Sequence, residues 1–587
     1  MGVNRLRKDV SKPMSQVLDL SQAKILIIDD QKPFQVMLKG LLHAMGARQV
    51  VAKSTGEAGV AAHYNQPFDI LLVDYNLGHG KNGRQVLEEL QVRRLLKEQT
   101  IFFLITGDNS KPMVLSALEL QPDDYLMKPF SQGVLRTRLL RAYGKRKTLK
   151  QVYKSLYQQQ YEACIAHCDE HVQANGRYAN YCRKLAAELC LKLQNLGEAE
   201  RRLAELLKEQ RFTWAVMTLA RVKLAQGNAD EAIELAQEVL KNNANAVDAQ
   251  DIVAAAHLSA KRSPEALDAA RKAVQMAPFS LDRQATFARI ARDNSEFELA
   301  RQAMFHVLEI SRKSVFRDPR HLCAYIRSIL DAAEHGEDQR QVAKYQTEAT
   351  LALQRSRFDD NLVYSDLDYE QLEHVVLARI DAFNGRYREA QTHLNEVVGQ
   401  SLAANQAIVP ELAPDVLTVL LDLGEFEKAN QLNETLQNEH QLDDYTRRLV
   451  NQRVERSAQS QQEFFTINKA GIEEYKRGDY GAAVQSFAVA LKHAPMNSGA
   501  ALNYIQAAIK VLGASEKPNR DMLNECKRCF RILEGMQLSL AHHQRYQRLL
   551  EECVDSELFE PEFVKKARKI LKDIAQQQAA AQSAAED

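Results

Sequence analysis

Residues 68–83 read FDILLVDYNLGHGKNG. Four apolar residues, Ile70 to Val73, end on one carboxylate, Asp74, and the chain then enters a loop of asparagine and glycine. Such a run reads as a strand buried on both faces. A carboxylate at its end is poorly solvated and calls for a cation or donors nearby. Working outward, KILII at 24–28 ends in Asp29 and Asp30, and QVVA at 49–52 is a weaker second strand. DILLV at 69–73 is the third, TIFFLIT at 100–106 closes on Thr106, and DYLM at 124–127 runs into Lys128 and Pro129. Helical stretches fall at 34–45, 55–63, 83–97 and 111–119, with another beginning near Ser131. Strands alternating with helices predict a doubly wound α/β domain with a five-stranded parallel sheet. In such sheets ligands bind at the carboxyl ends of the strands.

Those ends carry Asp29, Asp30, Asp74, Thr106 and Lys128. Three carboxylates at one rim repel strongly unless a divalent cation sits among them. All-oxygen ligation points to Mg2+, which accepts a few carboxylates plus a phosphate oxygen. A lysine and a hydroxyl alongside can hold the remaining oxygens of a phosphoryl group.

The pattern over residues 22–145 resembles the receiver domain of bacterial two-component response regulators, a CheY-like, flavodoxin-like fold. It rests on the acid pair at 29–30, the aspartate in LLVDYN, the TG at 106–107 and the KPF at 128–130. The resemblance implies that Asp74 is the phosphoacceptor, a carboxylate nucleophile. Asp30 and Asp74 would hold Mg2+ with the backbone carbonyl of Asn76, and Asp29 would act through a metal-bound water. Lys128 and Thr106 would contact the phosphoryl group. Thr106 and Tyr125 would move together as the switch, a two-state element that phosphate can bias. Asn76 and Asp108, bordering the site, would orient an attacking water and tune dephosphorylation.

The loop after Asp74 departs from the family. Leu77 and Gly78 stand where Met-Pro is usual, and the loop is one residue longer before Gly83. Three glycines predict a more mobile loop. His79 reads as a solvated loop residue.

The chain has 587 residues, too many for one hydrophobic core. Lys+Arg and Asp+Glu both total 77, so net charge gives no reason to expect nucleic acid or an anionic membrane as partner. No apolar window is long enough to span a bilayer, and residues 1–21 lack the apolar core of a secretory signal and read as a disordered tail. Eight scattered cysteines suit free thiols in a reducing, cytoplasmic setting.

Beyond residue 145 the signal is periodic. Ala199, Ala232, Ala266 and Ala300 recur at steps of 33, 34 and 34 residues, and Ala220, Ala254 and Ala288 at 34 and 34. In residues 467–495, Gly471, Gly478, Tyr480, Ala483, Phe487, Ala490 and Pro495 follow the spacing of a tetratricopeptide repeat. Residues 146–575 therefore resemble an all-α tetratricopeptide solenoid. Residues 311–380 fit the period poorly and divide it into two sub-arrays, and 576–587 read as a flexible tail. Solenoids present grooves that bind peptides or helices of other proteins.

Three further features carry less. Cys164, His167, Cys168 and His171 share one helical face, which admits a metal site but suits repeat packing better. The CKRC at 526–529 has no second pair to complete a metal site. Eight basic residues, Arg136, Arg138, Arg141, Lys145, Arg146, Lys147, Lys150 and Lys154, crowd the junction. They read as a solvated face or an acidic partner's dock, and a continuous helix across the junction would carry the receiver's state into the first repeat.

The expected function is a response regulator, phosphorylated on Asp74 by a sensor histidine kinase or phosphotransfer protein, with the solenoid as a protein-binding output. The chemistry is stoichiometric, so no enzyme is expected. The alternatives are a constitutive scaffold or assembly chaperone with a docking receiver, and a phosphate sink for a shared kinase. No helix-turn-helix output is present, and neither nucleic acid nor membrane insertion is expected.

Overall fold

The computed structural model describes residues 19–107, 110–359, 367–403, 408–438, 444–514, 519–534, 536, 538–556 and 558–586. The stretch 1–18 of the N-terminal tail lies outside them. The chain divides into two compact units, Met1–His321 and Leu322–Asp587.

The first unit opens with β1 (Lys24–Ile28), α1 (Lys32–Ala44), β2 (Gln49–Lys53), α2 (Gly56–Asn65), β3 (Ile70–Asp74), α3 (Gly83–Val92), β4 (Ile101–Thr106), α4 (Lys111–Leu118), β5 (Asp124–Met127) and α5 (Gln132–Thr148). The strands form one parallel sheet in the order β2-β1-β3-β4-β5. Alternate side chains feed two cores, as strand geometry requires. Ile25, Ile27, Leu72, Phe103 and Ile105 pack with Leu38 and Leu42 of α1 and Leu135 and Leu139 of α5. Leu26, Ile28, Leu71, Val73 and Leu104 pack with Val60 of α2 and Val86, Leu87 and Leu90 of α3. The sheet is thus the expected doubly wound one. Helix α3 stops at Val92, short of the expected 97, because Arg94 takes φ +56 and the Leu95 amide turns back to the Leu90 carbonyl. Leu95 then packs on the core, which closes the helix end with an apolar contact.

The same unit continues with α6 (Lys150–Tyr157), α7 (Tyr161–Gln173), α8 (Ala179–Lys192), α9 (Leu196–Glu209), α10 (Thr213–Ala225), α11 (Ala229–Asn242), α12 (Val247–Ser259), α13 (Ser263–Met276), α14 (Leu281–Asp293) and α15 (Phe297–Ser311). The periodic alanines explain the pairing. Ala220, Ala254 and Ala288 lie on α10, α12 and α14, while Ala199, Ala232, Ala266 and Ala300 lie on α9, α11, α13 and α15, and all are buried. A methyl at each crossing lets paired helices approach closely. The turns within the pairs repeat too: Gln194, Gly227, Lys261 and Ser295 all have positive φ. These left-handed residues end each first helix and reverse the chain.

The junction corrects one expectation. Residue Leu149 interrupts the helix between α5 and α6, so it is not continuous. Of the eight basic residues, Arg146 is buried and Lys145 is half-buried rather than solvated. Arg146 is 8 % exposed and grips Asp123, at the start of β5, through two hydrogen bonds of 2.8 Å. It also lies 4.0 Å over the Tyr153 ring and donates to the Tyr157 hydroxyl at 2.9 Å. Lys145 sits 3.6 Å over Tyr181, and burial pushes its amine down to about 8. The last turn of α5 is therefore bound to both β5 and the first repeat.

The second unit holds α16 (Pro319–Glu334), α17 (Gln339–Arg357), α18 (Tyr369–Phe383), α19 (Tyr387–Ala403), α20 (Ala413–Leu423), α21 (Phe426–Asn438), α22 (Asp444–Arg477), α23 (Tyr480–His493), α24 (Ser498–Gly513), α25 (Arg520–Glu534), α26 (Leu540–Asp555) and α27 (Pro561–Glu586). Helix α27 runs through most of the stretch read as a flexible tail. Around the repeat at 467–495, Gly471 of α22 meets Phe487 of α23 so closely that a Cβ would come within 2.7 Å of the ring. Buried ion pairs join Arg327 and Arg379 to Asp415, at 2.6 and 2.9 Å. No helix of the described residues is long and apolar enough to cross a membrane.

The helix crossings give a test. Ala266 is fully buried. Ala266→Leu is expected to overpack its crossing, lowering stability by about 1–3 kcal/mol, read as a lower urea midpoint.

Candidate functional site

The sheet brings the expected residues to one rim. β1 ends beside β3, which pairs with β4, so Asp29 and Asp30 face Asp74 and Thr106 across adjacent strand ends. Carboxylate oxygens of Asp29, Asp30 and Asp74 lie within 4.8 Å of one another. Asp29 and Asp74 are buried, and Asp30 is exposed. Lys128, arriving from β5, places Nζ 2.7 Å from Asp29 and 3.1 Å from Asp74. The same ammonium lies 3.9 Å from the centre of the Phe34 ring. Sequence reasoning passed over Phe34, although its position one turn into α1 places it beside the acid pair. The Gln31 amide donates to the remaining oxygen of Asp29 at 2.8 Å.

Asp74 is the strained member. Burial pushes its carboxyl up to about 6, opposed by Lys128 and reinforced by Asp29 and Asp30. One lysine does not neutralise three acids. The donor set is all oxygen, compact and excess in negative charge, so it fits a hard divalent cation.

Thr106 is buried at the end of β4, and its carbonyl accepts from the Lys128 amide at 2.7 Å. Tyr125, half-buried, pairs in register with Leu104 and packs on the same core as α3. Asn76 and His79 are exposed in the loop after Asp74. Asp108 lies outside the described residues. The Lys128–Pro129 peptide is cis.

The lengthened loop is pinned more firmly than its glycines suggest. Leu77 is buried in the core. The Lys81 amide donates to Glu57 at 2.8 Å, and Asn82 and Gln85 close a capping box at the start of α3. Gly83 donates to the Tyr75 carbonyl at 2.8 Å, and a Cβ there would lie 2.3 Å from the Asp74 carbonyl oxygen. Only glycine lets the loop return this close behind Asp74.

The helical face with Cys164 and Cys168 points into the repeat core, packed with Cys182. His167 instead meets the Ser155 hydroxyl at 3.3 Å. Among the described residues the acid triad is the one group of three or more ligands close enough to hold a metal. Cys526 and Cys529 are buried free thiols.

Comparison with known proteins agrees with this geometry. The response regulator receiver domain model matches residues 25–140, and a tetratricopeptide repeat model matches 217–280. The chain is a receiver domain followed by tetratricopeptide repeats. The receiver is 29% identical over 136 residues to the transcriptional regulatory protein YvrH of Bacillus subtilis, covering 23% of this chain and 53% of that protein. It is 28% identical over 117 residues to the chemotaxis protein CheY1 of Helicobacter pylori, covering 20% of this chain and 93% of that one. Among solved structures, the receiver domain of the sensor histidine kinase PA1611 from Pseudomonas aeruginosa is 25% identical. That match covers 21% of this chain and 98% of that one, with a TM-score of 0.19. By its family model and curated relatives the receiver is homologous to response regulators, and each of these matches covers less than a quarter of the chain.

The raised Asp74 carboxyl sets a pH dependence. Its folded value of about 6 exceeds the unfolded value of about 3.9, so this group costs stability progressively as pH rises from roughly 4 through 6. Without divalent cations, Asp74→Asn is expected to melt higher than wild type at pH 7.5 and nearly alike at pH 4. Added Mg2+ should raise the wild-type melting temperature at pH 7.5, by about 1.4 kcal/mol of stability at ten times its dissociation constant. It should do so much less at pH 5 or in Asp74→Asn. Thermal melts across that grid provide the check.

Proposed function

We propose that this protein is a phosphorylation-controlled adaptor. Asp74 accepts a phosphoryl group from a phosphohistidine of a sensor kinase or phosphotransfer protein, and the repeats bind a protein partner as output. The observation that carries the reading is the convergence of Asp29, Asp30 and Asp74 on Lys128 at 2.7 and 3.1 Å.

At neutral pH the Asp74 carboxylate is largely ionised, and its desolvation keeps it reactive. One of its oxygens attacks phosphorus. The P–N bond to the donor imidazole breaks with its electron pair retained on nitrogen, and a P–O bond to Asp74 forms. Lys128, now shared between Asp29 and Asp74, pairs with a phosphoryl oxygen as the charge moves outward. Thr106, at the adjacent strand end, supplies a hydroxyl to another oxygen. Asp30 and Asp74 with the Asn76 carbonyl would hold Mg2+, Asp29 would assist through a water, and the ion would supply charge neutralisation. Movement of Thr106 draws Tyr125 along, and β5 transmits the change through Asp123 and Arg146 to the first repeat. Asn76 and Asp108 orient the water that later removes the phosphate. The chemistry is one transfer per site, without turnover of a substrate. Free buried cysteines suit a cytoplasmic setting.

Phosphoramidate, a small phosphoryl donor, tests the acceptor directly. With Mg2+, wild type is expected to gain one base-labile phosphoryl group by intact mass, and Asp74→Asn none. Lys128→Ala should retain Mg2+ binding yet lose most of the label. An unlabelled wild type would favour a constitutive scaffold with a passive receiver.

A further inference from the structure

The receiver of the first unit is not free of the repeats that follow it. Helix α4 lies against α13, and Leu115, like Met276, packs against the cluster of Val247, Ala273 and Ala277. One turn further on the same face, Glu119 forms an ion pair of 2.7 Å with Arg283. Arg283 is already organised for this. It grips Asp251 of α12 at 2.7–3.1 Å and donates to the Ala277 carbonyl at 2.9 Å. Its side chain is 8% exposed. Burial raises the Glu119 carboxyl, against the pull of Arg283. Helix α4 therefore occupies a seat built from an apolar floor and a fixed guanidinium.

Two observations show that α4 is a partial occupant. It has eight residues, about 12 Å of helix. Beside it an open cleft of about 600 Å³ continues the seat, lined by Leu118, Lys184, Trp214, Met217, Arg221 and Val247. Leu118 is 48% exposed at its edge. The chain's one tryptophan thus borders space that α4 does not fill. Helix α3, by contrast, is anchored separately. Gln85 donates to the Ile310 carbonyl at 3.2 Å, and the Ser314 hydroxyl donates to Glu88 at 2.7 Å. These contacts tie α3 to the end of α15 and the turn after it without using α4.

We propose that the cleft formed by α10, the turns joining α11 to α12 and α13 to α14, and the start of α14 is a docking groove for a helix of another protein, with α4 as its built-in competitor. That helix carries an apolar residue followed four positions later by a carboxylate, as Leu115 and Glu119 do. It is longer than α4, so that its additional turns cover Trp214 and Met217. Charge complementarity with Arg283 fixes its register, and the apolar floor supplies most of the affinity. A tethered competitor acts at an effective concentration on the order of millimolar, so the groove is closed to weak ligands until α4 is loosened. Control of that loosening by phosphate rests on the Asp74 reading and is measured separately.

The probe is a fluorescent, helix-stapled peptide with the sequence of residues 110–121, and the readout is anisotropy with full-length protein. Leu115→Ala/Glu119→Ala, which loosens α4, is expected to bind the probe at least tenfold more tightly than wild type. Adding Arg283→Ala to that protein, or replacing the probe's glutamate that matches Glu119 with lysine, should each lose at least tenfold. Tryptophan fluorescence from Trp214 should change on binding, which reports the groove independently of the substitutions. Failure of the loosened protein to bind, binding indifferent to Arg283, or self-association of the loosened protein through the same face each overturns the proposal. Beryllofluoride with Mg2+ on wild type forms the second arm. Enhanced probe binding there supports phosphate control. No enhancement, with the substitution arm positive, overturns the phosphate link and leaves the groove standing.

Discussion

Three carboxylates confined at the end of a buried sheet, with one lysine between them, govern the rest of the receiver. Asp74 cannot leave the rim, because β3 is buried along its whole length and Gly83 closes the chain behind it. Lys128 cannot neutralise Asp29, Asp30 and Asp74 together. The site therefore holds an electrostatic imbalance, and burial first, then Asp29 and Asp30, raises the Asp74 carboxyl against the pull of Lys128. A cation relieves it, and a phosphoryl group redistributes it. In the proposed function, this imbalance makes the strand end a switch rather than a structural rim.

The imbalance is connected to the repeats by two physical routes inside the first unit. One is covalently short: β5 leads from Asp123, through Tyr125, to Lys128, and Arg146 ties Asp123 to Tyr153 and Tyr157 of α6. The other is α4, which follows Thr106 in the chain and ends in Glu119 against Arg283. Packed elements of this kind shift between discrete arrangements rather than deform smoothly. In the proposed function, a change at Thr106 acts on this ion pair and apolar seat.

Much of this was legible in the sequence, for a local reason. Asp29, Asp30, Asp74, Thr106 and Lys128 each stand at or just past the end of a strand, so they could be placed without coordinates. The alanine period likewise marked helix crossings. The repeats were fainter elsewhere because the left-handed turn position holds Gln194, Lys261 and Ser295, with glycine only at Gly227 among those four. The end of α3 was misjudged because Arg94 gives no sign that it takes positive φ. Arg146 hid within a basic run, since its partner Asp123 and its tyrosines are brought to it only by folding. The docking of α4 was invisible for the same reason. Glu119 and Arg283 are ordinary surface residue types, and nothing near either in sequence refers to the other.

The central claim is that the charge state at Asp74 is coupled to the seat of α4. Amide hydrogen exchange on the full-length protein, with Mg2+ and with or without beryllofluoride, measures it most directly. The account predicts faster exchange in α4 and in α12–α14 when beryllofluoride is bound, unchanged exchange in α1 and α7, and no response in Asp74→Asn. Protection of α4 and α12–α14 that stays the same while beryllofluoride demonstrably occupies the site would contradict it.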